Sequence, residues 1–328
     1  MRGHSWPWGH TIRRAVLSVV ALGATMALPS MASTQASSVH KLTVLRIGYQ
    51  RFGDLNVLKA RGTLEKSLAP LGITVRWTLF PAGPQLLEGL NVGSIDLGTT
   101  GEVPPIFAQA AGAPLVYVAT EPPAPAGEAI LVPQNSPIHT VADLKGKKVA
   151  FNKGSNVHYL LVQALAKAHV RDSDIQPIYL VPADARAAFE RGSVEAWVIW
   201  DPYFAVEQQA AKVRVLADGT DLVANRQVYL ASRTLAYEHT GVVKIVIKQL
   251  QSADGWANGH IQQVASYLAP QIGIASGPLT ATLHRARFGA TLIDDKVIAN
   301  QQRIADTFFR LGLIPSHINV KDAEWKLR

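Results

Sequence analysis

The sequence predicts an α/β protein of two lobes, and three observations carry that reading. Between 42 and 120, short apolar runs alternate with stretches of helical period, the order that builds a mainly parallel sheet flanked by helices. The rhythm breaks at Glu121-Pro122-Pro123-Ala124-Pro125-Ala126-Gly127, where clustered prolines favour an extended, stiff segment, and then it restarts. Two polar, glycine-bearing turns precede helical runs, one on each side of that break: Gly98-Thr99-Thr100-Gly101-Glu102 and Asn152-Lys153-Gly154-Ser155-Asn156-Val157-His158.

Before the break, strands are expected at 42–49, 73–80, 94–98 and 114–120. Helices are expected at 56–68, where Gly62 can break the run, and at 85–90 and 106–111. After the break come strands at 128–132, 147–151, 177–181, 196–200 and 213–216, with helical runs at 141–144, 156–169, 184–191 and 203–211. The helix over 156–169 carries its apolar residues at Val157, Leu160, Leu161, Ala164, Leu165 and Ala168, one stripe of a 3.6-residue period. The polar stretch 219–226 leads back to the first lobe through 227–232. From 234 onward the pattern is helical, at 242–258, 261–268, 279–288 and 294–311, with no strand signal. Lobe one is therefore assigned 42–121 plus 226–328, and lobe two 122–225.

Residues 1–32 read as a secretory signal peptide. Arg2, Arg13 and Arg14 form a basic start, 15–28 is uncharged and mostly apolar, and Ser30-Met31-Ala32 fits a small-x-small cleavage site. Residues 33–41 form a polar spacer. The expected address is the periplasm. The chain has no cysteine, which excludes disulfides, a lipidated anchor, a thiol nucleophile and thiolate metal ligands. Removing the three arginines of the signal lowers the formal charge from +8 to +5. A mildly basic surface draws in small anions. Basic residues are scattered with no arginine-rich arm, so nucleic acid is not expected as a partner.

The two turns carry the chemistry. A helix start leaves N–H groups unpaired at the positive end of the helix dipole, so it accepts an anion. Pro104 and Pro105 suit a first helical turn, Thr99 or Thr100 can cap it, and Gly101 lets the backbone come close to a ligand. Either turn alone reads equally as an ordinary strand-to-helix connection. Two of them in different lobes suggest jaws closing on one small anion.

At this point the residues resemble a known family. The ending Gly48-Tyr49-Gln50, the segment from Phe80-Pro81-Ala82-Gly83-Pro84 to Asp96, the two turns and Trp197-Val198-Ile199-Trp200-Asp201-Pro202-Tyr203 are similar to the aliphatic sulfonate-binding proteins of bacterial ABC importers, in the nitrate/sulfonate/taurine class. The likeness covers nearly all of 42–235 and is looser beyond. It implies a two-lobe periplasmic binding protein fold (type II), an alkanesulfonate ligand, an inner-membrane ABC permease as partner, a monomeric state and no cofactor.

A sulfonate is permanently charged, with three acceptor oxygens and no proton to give, so its pocket needs donors. On this reading Thr99, Thr100 and Gly101 hold the head group from lobe one, while Ser155, Asn156 and His158 close from lobe two. Gln50 donates through its amide, or bonds its own turn instead. Trp200, Phe52, Phe80 and Pro81 wall the tail, with core packing the competing reading for Trp200 and Phe80. Asp201 either caps a helix or meets an amine on a taurine-like ligand. Arg51 and Arg226 add positive potential or are solvated surface charges. The main rival is an enzyme on the same scaffold. The chain lacks the cysteine nucleophile used by such enzymes, and also H-E-x-x-H and G-x-S-x-G motifs. Asp172-Ser173-Asp174 lacks the rest of a calcium loop, so no metal is expected.

Overall fold

A computed structural model describes residues 41–210 and 212–326. The expected signal peptide, and all of the spacer except its last residue, lie outside the described residues. Strands β1 (Val44–Tyr49), β2 (Thr74–Leu79), β3 (Leu97–Gly101) and β4 (Leu115–Thr120) enter a first sheet. Strands β5 (Glu128–Pro133), β6 (Lys148–Phe151), β7 (Gln176–Tyr179), β8 (Ala196–Trp200) and β9 (Val213–Asp218) form a second. The chain then returns to the first sheet with β10 (Gln227–Ser232) and the short β11 (Thr291–Leu292). The strand orders are β11-β4-β10-β3-β1-β2 and β7-β6-β8-β5-β9.

Both sheets are mixed, and four strands of each run in one direction, as expected of mainly parallel sheets. β1 pairs in parallel with β2 and β3, whereas β10 runs antiparallel to β3 and β4. In the second sheet β6 is parallel to β7 and β8, but β5 is antiparallel to β8 and β9. The cause is topological. β5 and β10 are the strands by which the chain crosses between sheets, and each enters against the local direction. The crossings lie side by side: the Ala124 N–H donates to the Ala224 carbonyl (3.1 Å) and the Glu121 N–H to the Gln227 carbonyl (2.9 Å).

The helices cover the sheet faces with the apolar stripes read from the sequence. Leu45, Ile47 and Tyr229 pack under the Thr240–Gly259 helix on one side of the first sheet. Leu86, Tyr117 and Phe308 fill the other side. In the second sheet Val149 and Val198 meet Leu160, Leu161 and Leu165 of the Asn156–Lys167 helix, and Trp197 is enclosed with Phe189 on the opposite face. Gly62 does break the first helical run, because its left-handed backbone (φ 62°) ends Asp54–Arg61 and begins Thr63–Leu68.

The third strand differs from expectation by three residues, and the shift matters. Arg46 grips Asp96 through its backbone N–H (2.8 Å) and side-chain Nε (2.9 Å), so Asp96 precedes β3. β3 then runs to Gly101, and the segment read as a turn is paired residue by residue with β10: Thr99 with Tyr229, Thr100 with Val228, Gly101 with Gln227. The helix that follows begins only at Pro104 and is capped by neither threonine. The C-terminal segment is otherwise helical as read, apart from the unexpected β11 and the end of the Ser276–Arg285 helix, which releases 286–290 as extended chain.

Candidate functional site

A cavity lies between the sheets, with walls from both. On the first-sheet side the Gly83–Asn91 helix points its start at the cavity, with Pro81 and Gly83 in the lining. On the second-sheet side the Asn156–Lys167 helix does the same through Ser155 and Asn156. Neither start is capped by a side chain. Ser155 stands at the N-cap, yet its hydroxyl donates to the Asn152 carbonyl (2.7 Å) rather than accepting from the helix. The leading N–H groups of both helices therefore have no intrahelical acceptor, whereas the His158 N–H already donates to the Ser155 carbonyl (3.0 Å). On the first-sheet side the helix start that borders the cavity is the one after Pro81, and of Thr99–Gly101 the lining includes Gly101.

Gly101 and Asn156 meet in the cavity lining. A side-chain carbon at Gly101 would overlap the Asn156 carboxamide, so only glycine fits. Asn156 accepts the Val103 N–H (3.1 Å) and donates to Asn225 Oδ1 (2.7 Å), which ties helix, β3 loop and crossing strand together. Glu102 is buried beside this knot and accepts the Asn225 N–H (2.8 Å). Burial raises its carboxyl to about 7, opposed in part by that hydrogen bond.

The remaining predicted residues divide. Gln50, Phe52, Trp200 and Asp201 line the cavity. Gln50 spends one amide N–H on the Thr99 carbonyl (3.2 Å). Asp201 is occupied: Arg285 clamps it with Nε to Oδ2 (2.7 Å) and the second guanidinium nitrogen to Oδ1 (2.8 Å), and the Ala205 N–H also reaches Oδ1 (3.1 Å). Asp201 thus accepts a first-turn N–H of the Tyr203–Gln209 helix from the position before its Pro202 N-cap, and its ion pair runs from the second sheet to the C-terminal segment.

Thr99, Thr100, Phe80 and His158 do not line the cavity, which corrects their expected place. The Thr99 hydroxyl donates to the Val228 carbonyl (3.2 Å) and that of Thr100 to the Gly101 carbonyl (2.8 Å), both inside the sheet. Phe80 packs against Gly48 and Gly89 beneath the Gly83–Asn91 helix. His158 sits among Phe107, Phe151 and Phe308, and its Nδ1 accepts the Gly154 N–H (3.2 Å). Burial, assisted by the nearby Lys153 charge, lowers its imidazole to about 4, so it is neutral at ordinary pH. It shapes the turn beside the cavity from within.

Sequence reasoning missed the contribution of the C-terminal segment. Thr282, Arg287 and Phe288 line the cavity beside the Arg285 clamp. The Phe52 and Phe288 rings pack 6.5 Å apart. A signal was present: Arg51-Phe52-Gly53 recurs as Arg287-Phe288-Gly289, and the two copies meet. Arg51 lines the cavity while donating to the Ile272 carbonyl (2.8 Å); Arg226 instead bonds the Glu121 carbonyl (3.1 Å) away from the lining. Also unforeseen were the carboxyls of Asp54 and Glu121 in the lining.

Two mixed-sheet lobes, joined by paired crossings around one cavity, define a two-lobe solute-binding protein. The chain belongs to the NMT1/THI5-like family, whose model matches residues 72–263, and within it to the aliphatic sulfonate-binding proteins. It is 47% identical over 285 residues to an aliphatic sulfonates-binding protein of Escherichia coli, covering 86% of this chain and 88% of that one. The solved alkanesulfonate-binding protein SsuA of Xanthomonas axonopodis pv. citri, bound to MOPS, superposes with a TM-score of 0.84 at 43% identity, covering 88% of this chain and 99% of that one. The periplasmic aliphatic sulphonate binding protein SsuA of Escherichia coli gives 0.78 at 46% identity, covering 87% and 93%.

Proposed function

We propose that this protein captures aliphatic sulfonates between its lobes in the periplasm, as a monomer, and hands them to an ABC permease without changing them. The lobes are 42–121 plus 226–328, and 122–225. The observation that carries the reading is the convergence of two uncapped helix starts, one per lobe, on a single cavity. Backbone N–H groups at the starts near Gly83 and Ser155–Asn156 receive the sulfonate oxygens, with Gln50 and Gly101 at the same end. Neutral donors bind a permanent anion without burying a full counter-charge and its desolvation cost. Phe52, Pro81, Trp200, Tyr203 and Phe288 shelter the tail, while Asp201 braces the wall through Arg285. Arg51 and Arg287 lend positive potential. Thr99, Thr100, Phe80 and His158 support the seat from behind.

Calorimetric titration of the ligand-stripped mature protein tests this reading. Alkanesulfonates should bind, gaining up to about 0.8 kcal/mol per buried CH₂ as the tail lengthens. Sulfate and nitrate should bind weakly, and each ligand should be recovered intact. Equal affinity for methane- and octanesulfonate would remove the tail wall, and chemical conversion of a ligand would make the protein an enzyme.

A further inference from the structure

The segment 286–290 gives the cavity three lining residues in a row, Ala286, Arg287 and Phe288, without belonging to a helix or a strand. It runs between two anchors. Before it, Arg285 is bound to Asp201 of the second-sheet lobe, and its guanidinium lies over the Phe204 ring, 4.3 Å from the centroid. After it, β11 pairs with β4 in the first sheet. Between the anchors, side chains take four of its backbone groups. The Asn258 amide donates to the Phe288 carbonyl (2.9 Å), and Glu121 Oε2 accepts the Gly289 N–H (2.6 Å). Asp254 Oδ2 accepts the Ala290 N–H (2.8 Å), and the Gln251 amide donates to the Ala290 carbonyl (3.0 Å).

Three of these four side chains come from one helix. Gln251, Asp254 and Asn258 are spaced three and four apart in Thr240–Gly259, which puts them on one face. Each suits the group it meets: the amides donate to carbonyls and the carboxyl accepts an N–H. Asp254 is 3% exposed and stands with Asp54 and Glu121, one oxygen from each lying within 4.8 Å of the other two. The Tyr229 hydroxyl lies 2.7 Å from Asp54 Oδ2 and 2.7 Å from Glu121 Oε1. A phenol has one hydrogen, so it donates one of these bonds and accepts the other from a carboxyl O–H. A proton held in the cluster thus lets Glu121 and Asp254 stand together under the segment.

What this row fixes is the Phe288 wall. The Phe288 carbonyl and the Gly289 N–H belong to one planar peptide unit, so Asn258 and Glu121 hold that plane from opposite sides. The plane sets where the Phe288 side chain departs, and its ring packs 6.5 Å from that of Phe52, also in the lining. Gln251, Asp254 and Asn258 are themselves outside the lining. On the reading of this site as a sulfonate pocket, we infer that these three are positioning residues for tail recognition: they set Phe288 against Phe52, and so decide how much a long alkyl tail gains over a short one.

The test is calorimetric titration of the ligand-stripped mature protein with methane- and octanesulfonate, read as the ratio of the two affinities. One intramolecular hydrogen bond is worth a factor of about two to ten. Q251A/N258A should weaken octanesulfonate about tenfold and methanesulfonate by less than about twofold. Both replaced residues are exposed, so the fold should hold. D254A should weaken octanesulfonate about tenfold or more. D254N should restore it to within about threefold of the wild type, because its amide oxygen still accepts the Ala290 N–H. In the ligand-free proteins, amide hydrogen exchange at Gly289 and Ala290 should quicken about tenfold in Q251A/N258A and D254A, and stay near the wild type in D254N. Equal losses at both chain lengths, an unchanged octane-to-methane ratio, exchange that does not quicken, or D254N as weak as D254A would overturn the inference. If the wild type binds neither sulfonate, the proposed function fails and takes the inference with it. If the wild type gains with tail length and the variants keep that gain, the inference alone fails.

Discussion

The two ends of the cavity bear opposite electrostatic character, made by different means. At the helix starts the backbone supplies donors, fixed by the helices themselves and insensitive to pH. At the Asp54–Glu121 floor, side chains supply acceptors whose charge depends on a proton. Burial raises Asp54 well above the usual carboxylate range, and raises Glu121 and Asp254 each to about 7. One end is therefore constant with pH and the other is not.

The largest expected effect comes from spoiling the constant end. S155D places a carboxylate at the start of the Asn156–Lys167 helix, where aspartate also makes a good cap. Melting temperature should hold or rise while sulfonate affinity falls by roughly a hundredfold or more, since like charges meet in a shielded site. Calorimetry and thermal melting together check both halves. Next in size is R285Q, which leaves the Asp201 carboxylate buried without its cation. Losing one partner of such a pair costs about 3 kcal/mol of stability. The ligand off-rate should rise, and pairing R285Q with D201N should restore much of the stability. W200A should follow, weakening octanesulfonate about tenfold and methanesulfonate by less than about threefold. Equal losses would make Trp200 scaffold.

The smallest effect concerns pH. Glu102 titrates at about 7 in the folded protein against an ordinary value of 4.5, so the folded state holds its proton more tightly. The stability it contributes is full below about 4.5 and is lost as pH rises through about 7. Thermal melts of the ligand-free protein from pH 5 to 8 should therefore decline more steeply in the wild type than in E102Q. His158 acts oppositely below its ordinary value, because it is neutral when folded, and it does not distinguish the two proteins.

Much of the fold was legible because strands and helices here follow their apolar periods. The Asn156–Lys167 helix, the strand bearing Trp200 and the proline-rich crossing lie where those patterns put them. The mixed strand directions were not legible, since direction depends on which sheet a crossing strand joins, not on its own residues. The Thr99–Gly101 segment misled for a related reason. Threonine and glycine read as a turn locally, but pairing with Gln227, Val228 and Tyr229 makes it a strand. His158 read as a ligand contact early in its helix, and the rings of Phe107 and Phe308, distant in sequence, bury it instead. The acid floor was hidden because Asp54, Glu121 and Asp254 are far apart along the chain and lone carboxylates are common.

The paired crossings have a mechanical consequence. Two neighbouring segments tied by backbone hydrogen bonds, Glu121 to Gln227 and Ala124 to Ala224, brace one another against shear. A link of that kind resists shear between the two sheets, which holds Gly101 in register with Asn156. A binding site that depends on a few short contacts from each jaw needs that register more than it needs a tight grip.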